Sequence, residues 1–191
     1  MTVVEIYTEE TPNPESLKFV TNQHLLPNYV AEFKTKESAG ESELAQALFT
    51  IPFVQSVFLS NNFVTITKTP DVEWYEITPE LRDKIRGFLS SGKKAVSETL
   101  WNKGGASVSG DTESSDPQTK IIALLDKYVK PAVEGDGGHI SFRSFENGVV
   151  SVALQGSCSG CPSSSITLKN GIEGLLKRMV PEVQEVVAIA E

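Results

Sequence analysis

A chain of 191 residues is long enough for one large domain or two small ones, and its 39% hydrophobic content is that of a globular protein and not of a disordered one. No apolar run is long enough to cross a bilayer. The net charge of −8, with acidic residues outnumbering basic ones in both halves and no basic stripe, disfavours nucleic acid and anionic membranes as partners. The first residues, MTVVEIYTEETPNPES, are acidic and lack a basic stretch followed by an apolar one, which predicts a cytoplasmic protein.

In chain order, VVEIYT (Val3 to Thr8) and SLKFVT (Ser16 to Thr21) read as short strands on either side of the turn TPNP. SELAQALFTI (Ser42 to Ile51) spaces Leu44, Ala47, Leu48 and Ile51 for a helix. FVQSVFLSNNFVTITK (Phe53 to Lys68) alternates on both sides of Asn61-Asn62, a hairpin pattern. TPELRDKIRGFLS (Thr78 to Ser90) reads as a helix capped by Thr78, with Pro79 at its first position and Leu81, Ile85, Phe88 and Leu89 on one face. These elements predict a small α+β domain over residues 1–91. Its one histidine, His24, reads as a solvated loop residue.

A linker is expected over residues 92–115. GGASVSGDTESSDP (Gly104 to Pro117) is almost devoid of apolar side chains. Just before it, Val96, Leu100 and Trp101 in KKAVSETLWNK sit at near-helical spacing, which reads as a short helix docked on the first domain or as an anchor between domains.

Residues 116–191 predict a second domain in the order α-β-β-loop-α-β. Asp116-Pro117 caps a helix with Ile121, Leu124, Leu125, Tyr128 and Val129 on its apolar face, ended by Pro131. The glycine turn EGDGGH leads into ISFRSF, whose Ile140 and Phe142 face opposite to Ser141, Arg143 and Phe145. Asn147-Gly148 turns the chain into VVSVALQG. A helix follows Pro162 with Ile166, Ile172, Leu175, Leu176 and Met179 inward, and EVQEVVAI returns as the last strand. The fold class expected is therefore α+β, two small domains joined by a flexible linker.

Both cysteines of the chain lie in GSCSGCPSS (Gly156 to Ser164), where the second strand gives way to the second helix. The spacing puts Cys158 and Cys161 on one side of a tight turn, and Cys161 at a helix start whose unpaired amides favour a thiolate. With no acid inside the loop, the pair reads as two exposed thiolates with serine hydroxyls able to donate to sulfur. Two cysteines make no disulfide framework. Dithiol–disulfide exchange, a metal or cluster, and an incidental pair remain open on spacing alone. Zinc wants four ligands, and this half offers two thiolates and His139. An iron–sulfur cluster also takes four thiolates as a rule, which two chains could supply about a two-fold axis.

The run DGGHISF…ENGVVSVALQGSCSGCPSSSITLKNGIEGLLKRMVPEVQEVVAI resembles the NifU C-terminal domain of Nfu-type iron–sulfur scaffold proteins, and the first half, with TPNPESLKF, is similar to the Nfu N-terminal domain. The resemblance covers nearly all of the chain outside the linker. It implies a non-enzymatic scaffold or carrier in which Cys158 and Cys161 of two subunits bind a [4Fe-4S] cluster, with a [2Fe-2S] form compatible with the same residues. Upstream cluster donors and apo iron–sulfur clients would be the partners; the first domain, in which no site stands out, reads either as the part that recognises clients or partners or as one that only aids solubility or stability. One departure stands out: the glycine turn ends in His139 where the family often has a second acid. His139 reads first as a loop residue at a strand start, and otherwise as a group that tunes the cluster.

Overall fold

The computed structural model describes residues 3–103, 116–159 and 162–189. The chain divides into two units, Met1–Ser107 and Val108–Glu191.

The first unit is built on an antiparallel sheet of β1 (Ile6–Glu10), β2 (Ser16–Thr21), β3 (Leu26–Phe33), β4 (Val54–Asn61) and β5 (Phe63–Lys68), in the order β1-β2-β5-β4-β3. The Asn61-Asn62 hairpin forms as its sequence predicts, with Asn61 at φ 24° making the reversal. The alternation pattern does not disclose β3, because Pro27 and Asn28 look like turn residues. It is an edge strand whose register slips between Leu26 and Val30, and an edge tolerates proline.

Three helices close this core: α1 (Glu43–Leu48), α2 (Trp74–Ser90) and α3 (Glu98–Lys103). Helix α2 starts a turn earlier than Thr78. Glu73 and Glu76 form a reciprocal cap, each carboxylate accepting the other's backbone N–H. Thr78 instead donates its hydroxyl to the Trp74 carbonyl, and Pro79 lies inside the helix. Burial of Ile77, Leu81, Ile85 and Leu89 on one face offsets the bond that Pro79 forgoes. Part of the expected linker belongs to this unit: Ala95, Val96 and Leu100 are buried in the first core. Ser42 donates to the Ala95 carbonyl at 2.7 Å while capping α1 through the Ala45 N–H. The remaining stretch, residues 104–115, lies outside the described residues.

In the second unit, α4 (Pro117–Leu124) is capped by the Asp116 carboxylate, which accepts the Thr119 N–H. Pro131 does not end the helical stretch. A π-turn over Leu125–Val129, closed by the Lys130 N–H on the Leu125 carbonyl, resets the register, and α5 (Lys130–Gly135) begins with Pro131 in its first turn, where an N–H is dispensable. The π-turn also leaves Tyr128 exposed, off the predicted apolar face.

Strands β6 (Gly138–Glu146) and β7 (Val149–Gly156) form the predicted hairpin, with Asn147 and Gly148 at φ 49° and 81°. A bulge at Arg143 changes the pairing from Phe142↔Val152 to Ser144↔Ser151, so Phe145 joins Phe142 on the core face instead of opposing it. Helix α6 (Pro162–Met179) crosses the sheet, and β8 (Glu185–Ile189) pairs parallel to β7, which is central. Among the described side chains of α6, Ile172 and Leu176 are buried, flanked by Leu168 and Leu175. Ile166 stands roughly 120° round the helix from Ile172 and is exposed. Met179 faces the right way but ends the helix, and Val180 fills the core in its place. Glu173 ties α6 to β8 by accepting the Val186 N–H at 3.0 Å and Lys177 Nζ at 2.6 Å. The Lys177 bond, then the Val186 bond, hold its carboxyl below the usual range.

Leu176 is wholly buried where α6 meets the three-stranded sheet. Leu176→Ala is expected to cost about 2–5 kcal/mol, read from urea-dependent hydrogen exchange at the β7 amides. A loss below about 0.5 kcal/mol, the size of an ordinary surface change, would contradict this packing.

Candidate cysteine site

The hairpin geometry sets the site. Gly138 opens β6 and pairs with Gly156, which closes β7, so the Asp136–Gly138 turn and the Ser157–Ser159 loop lie at one end of the hairpin. Gly137 and Gly156 have φ of 80° and 69°, values that a side chain would oppose at both bends. Hydrogen bonds fasten one loop to the other. Ser157 donates its N–H to the Gly137 carbonyl at 3.3 Å and its hydroxyl to the Asp136 carbonyl at 2.6 Å. Within the loop, Ser159 donates both its N–H and its hydroxyl to the Gly156 carbonyl.

Cys158 is not an exposed thiolate. The residue is 6% exposed and belongs to the apolar core with Ile140, Leu154 and Ile172. Gly138 makes room for it: a Cβ at that position would come within 2.8 Å of Cys158 Sγ and 2.8 Å of the Gln155 carbonyl oxygen. Burial pushes the thiol up from its usual range, and the negative charge of Asp136 adds to that push. A Ser157 hydroxyl turned to the sulfur, 3.8 Å away, would pull the other way. Its one proton, however, is committed to the Asp136 carbonyl, so Ser157 Oγ accepts from an S–H and favours the thiol. The serines of the described loop thus bond to backbone rather than donate to sulfur. The opposing acid comes not from the loop but from the glycine turn.

Cys161 lies outside the described residues. His139 pairs with Gln155 on the sheet face opposite Ile140 and Cys158, which removes it from the sulfur's surroundings. Its Nδ1 is 3.7 Å from Glu134 Oε1, beyond hydrogen-bond reach, and is buried without a partner. His24 bonds Asn61 at the exposed end of the first sheet. Among the described residues no three His, Cys, Asp or Glu side chains converge to hold a metal ion. No helix among them is long and apolar enough to cross a membrane. Gly138 and Asp136 are absent from the site expected from sequence, where Ser157 figures only among the serines able to donate to sulfur; counting back from the Asn147-Gly148 turn brings Gly138 opposite Ser157, and the bulge at Arg143 shifts it to Gly156.

The TPNPESLKF motif of the first unit makes a self-contained turn. Thr11 donates its hydroxyl to the Asn13 and Ser16 carbonyls, and Asn13 Oδ1 accepts the Glu15 N–H. Trp74 Nε1 donates to the Pro14 carbonyl, and Lys68 pairs with Glu15 at 2.7 Å. These bonds account for the motif as structure.

Because the folded state holds the Cys158 proton more tightly than the unfolded chain does, stability is expected to fall as pH rises past about 8.5, the ordinary thiol range. Urea unfolding between pH 7 and 10 should show this fall, and Cys158→Ala should flatten it. An identical slope in the variant would contradict the buried thiol.

Two family matches divide the chain as the structure does. Residues 6–92 match the family described as "Scaffold protein Nfu/NifU N terminal", and residues 121–187 match the NifU-like domain. The human "NFU1 iron-sulfur cluster scaffold homolog, mitochondrial" is 40% identical over 182 residues, 95% of this chain and 70% of that protein. "NifU-like protein 4, mitochondrial" of Arabidopsis thaliana is 40% identical over 187 residues, 95% of this chain and 64% of that protein. A solved NifU-like protein from Saccharomyces cerevisiae is 30% identical, covering 50% of this chain and 87% of its own, at a TM-score of 0.44. The chain thus spans about two thirds of the length of the curated relatives. Their mitochondrial names overturn the cytoplasmic expectation, which rested on the first residues alone; a targeting segment outside or removed from those residues would leave no mark in them. With both domains matched in order and relatives alike across nearly its full length, the chain belongs to the Nfu/NifU scaffold family.

Proposed function

We propose that this protein is an iron–sulfur cluster scaffold and carrier. Two chains hold one [4Fe-4S] cluster through Cys158 and Cys161 of each, and pass it to apo-proteins that offer their own cysteines. The observation that carries this reading is the chain's whole thiol supply set at one strand-to-helix junction of the NifU-like domain. The scaffold names of the relatives support it. Each chain offers two thiolates, half of what such a cluster takes, so a symmetric pair completes the shell.

The cluster is cargo. Loading exchanges two S–H protons per chain for Fe–S bonds, and delivery replaces those bonds one by one with client thiolates. No covalent bond of an organic substrate is made or broken, and the protein acts as a carrier rather than an enzyme. A [2Fe-2S] form would use the same four sulfurs. The first unit recognises clients or donors under this reading. Disulfide exchange loses support from Cys158: an attacking sulfur is activated by a lowered pKa, and burial raises this one.

Anaerobic reconstitution with iron and sulfide is expected to load about four irons per two chains. Cys158→Ser and Cys161→Ser should each abolish retention of the cluster on desalting, and an apo-protein with free cluster-ligating cysteines should gain iron–sulfur absorption from the intact chain. Full retention by either variant would refute the ligand assignment.

A further inference from the structure

Resting on the scaffold reading, we propose that Ser157 is a positioning residue that locks Cys158 inward in the cargo-free chain, with the Asp136–Gly138 turn as the wall it is locked against. A cluster can then load only when the two loops part and the sulfur swings out.

Three observations carry this. Cys158 is 6% exposed and Ser157 is 1% exposed, so both are nearly closed to solvent. The two hydrogen bonds from Ser157 join the cysteine loop to the Asp136 and Gly137 carbonyls, immediately before the ligand residue. The sulfur also lies so close over Gly138 that even a methyl group there would sit 2.8 Å from it. An iron bound to this sulfur must sit about 2.3 Å from it, taking the zinc–thiolate length as a guide, with three more irons beyond. The sulfur belongs to the packed apolar core of the second unit, with Gly138 close against it and Ser157 Oγ 3.8 Å away. The resting position therefore excludes the cargo, and the ligand position has to be a different one. The raised affinity of Cys158 for its proton agrees with this but is not needed for it.

The lock makes Ser157 a control on loading. Removing its hydroxyl should free the loop and speed access to Cys158. Threonine, which keeps the hydroxyl, should preserve the lock.

The test uses the cargo-free full chain with Cys161→Ser, so that Cys158 is the one thiol, treated with N-ethylmaleimide at pH 7 and followed by intact mass. Native Cys158 is expected to react at least about ten-fold more slowly than in the urea-unfolded chain. Adding Ser157→Ala should raise the native rate about ten-fold, the effect of one lost hydrogen bond, while Ser157→Thr leaves it slow. A native rate equal to the unfolded one would overturn the proposal, as would an unchanged rate in Ser157→Ala. Low urea gives a check that needs no alanine variant: a local opening yields a rate insensitive to urea well below the unfolding midpoint. A rate that rises with urea from the start would mean that Cys158 is released only by global unfolding, and the lock would fall. No iron enters the experiment. A fast-reacting Cys158, in a protein whose Cys158→Ser form loses its cluster, would remove the lock and leave the scaffold reading standing.

Discussion

Sulfur packed against a glycine is the contact on which the second unit turns. Cys158 can reach the core only because Gly138 has no side chain, and Gly138 faces it only because the β6–β7 hairpin pairs Gly138 with Gly156. That pairing brings two loops together, and Ser157 ties them through carbonyls of the Asp136–Gly137 bend. The parallel strand β8 extends the sheet beside β7, helix α6 packs on its apolar face, and Glu173 bonds helix to strand. Core packing and cysteine chemistry therefore share one set of residues.

This sharing creates a tension. A thiol in an apolar core lowers the free energy of the folded chain, whereas a cluster ligand must be an accessible thiolate. On the proposed ligand assignment both demands fall on Cys158, and a loop with two positions would meet them. Burial of the free thiol also has a protective consequence, since oxidation of cysteine follows thiolate character and exposure.

Much of this was legible in the residues. The hairpin at Asn147-Gly148, the Asp116-Pro117 cap, the strand Ser16–Thr21 and the order of the second unit all follow from local rules of turn chemistry and alternation. Where the reading failed, a backbone irregularity or an overlooked cap had intervened. The bulge at Arg143 reversed the side of Phe145, and the π-turn carried the helix past Pro131. A carboxylate cap moved the start of α2 from Thr78 back to Trp74. At the site, glycine and serine suggested exposure. Their use is the opposite: glycine lets the backbone close over the sulfur, and serine fastens it. Which residue opposes deprotonation was hidden because Asp136 is 22 positions from Cys158 and becomes its neighbour through the hairpin alone.

Sharing of one cluster between two chains is the central claim, and native mass spectrometry of the anaerobically reconstituted protein tests it most directly. The account predicts that every cluster-bearing ion contains two chains and a single [4Fe-4S] unit, with cargo-free chains at monomer mass. An intact cluster carried by one chain, with no added thiol, would contradict it.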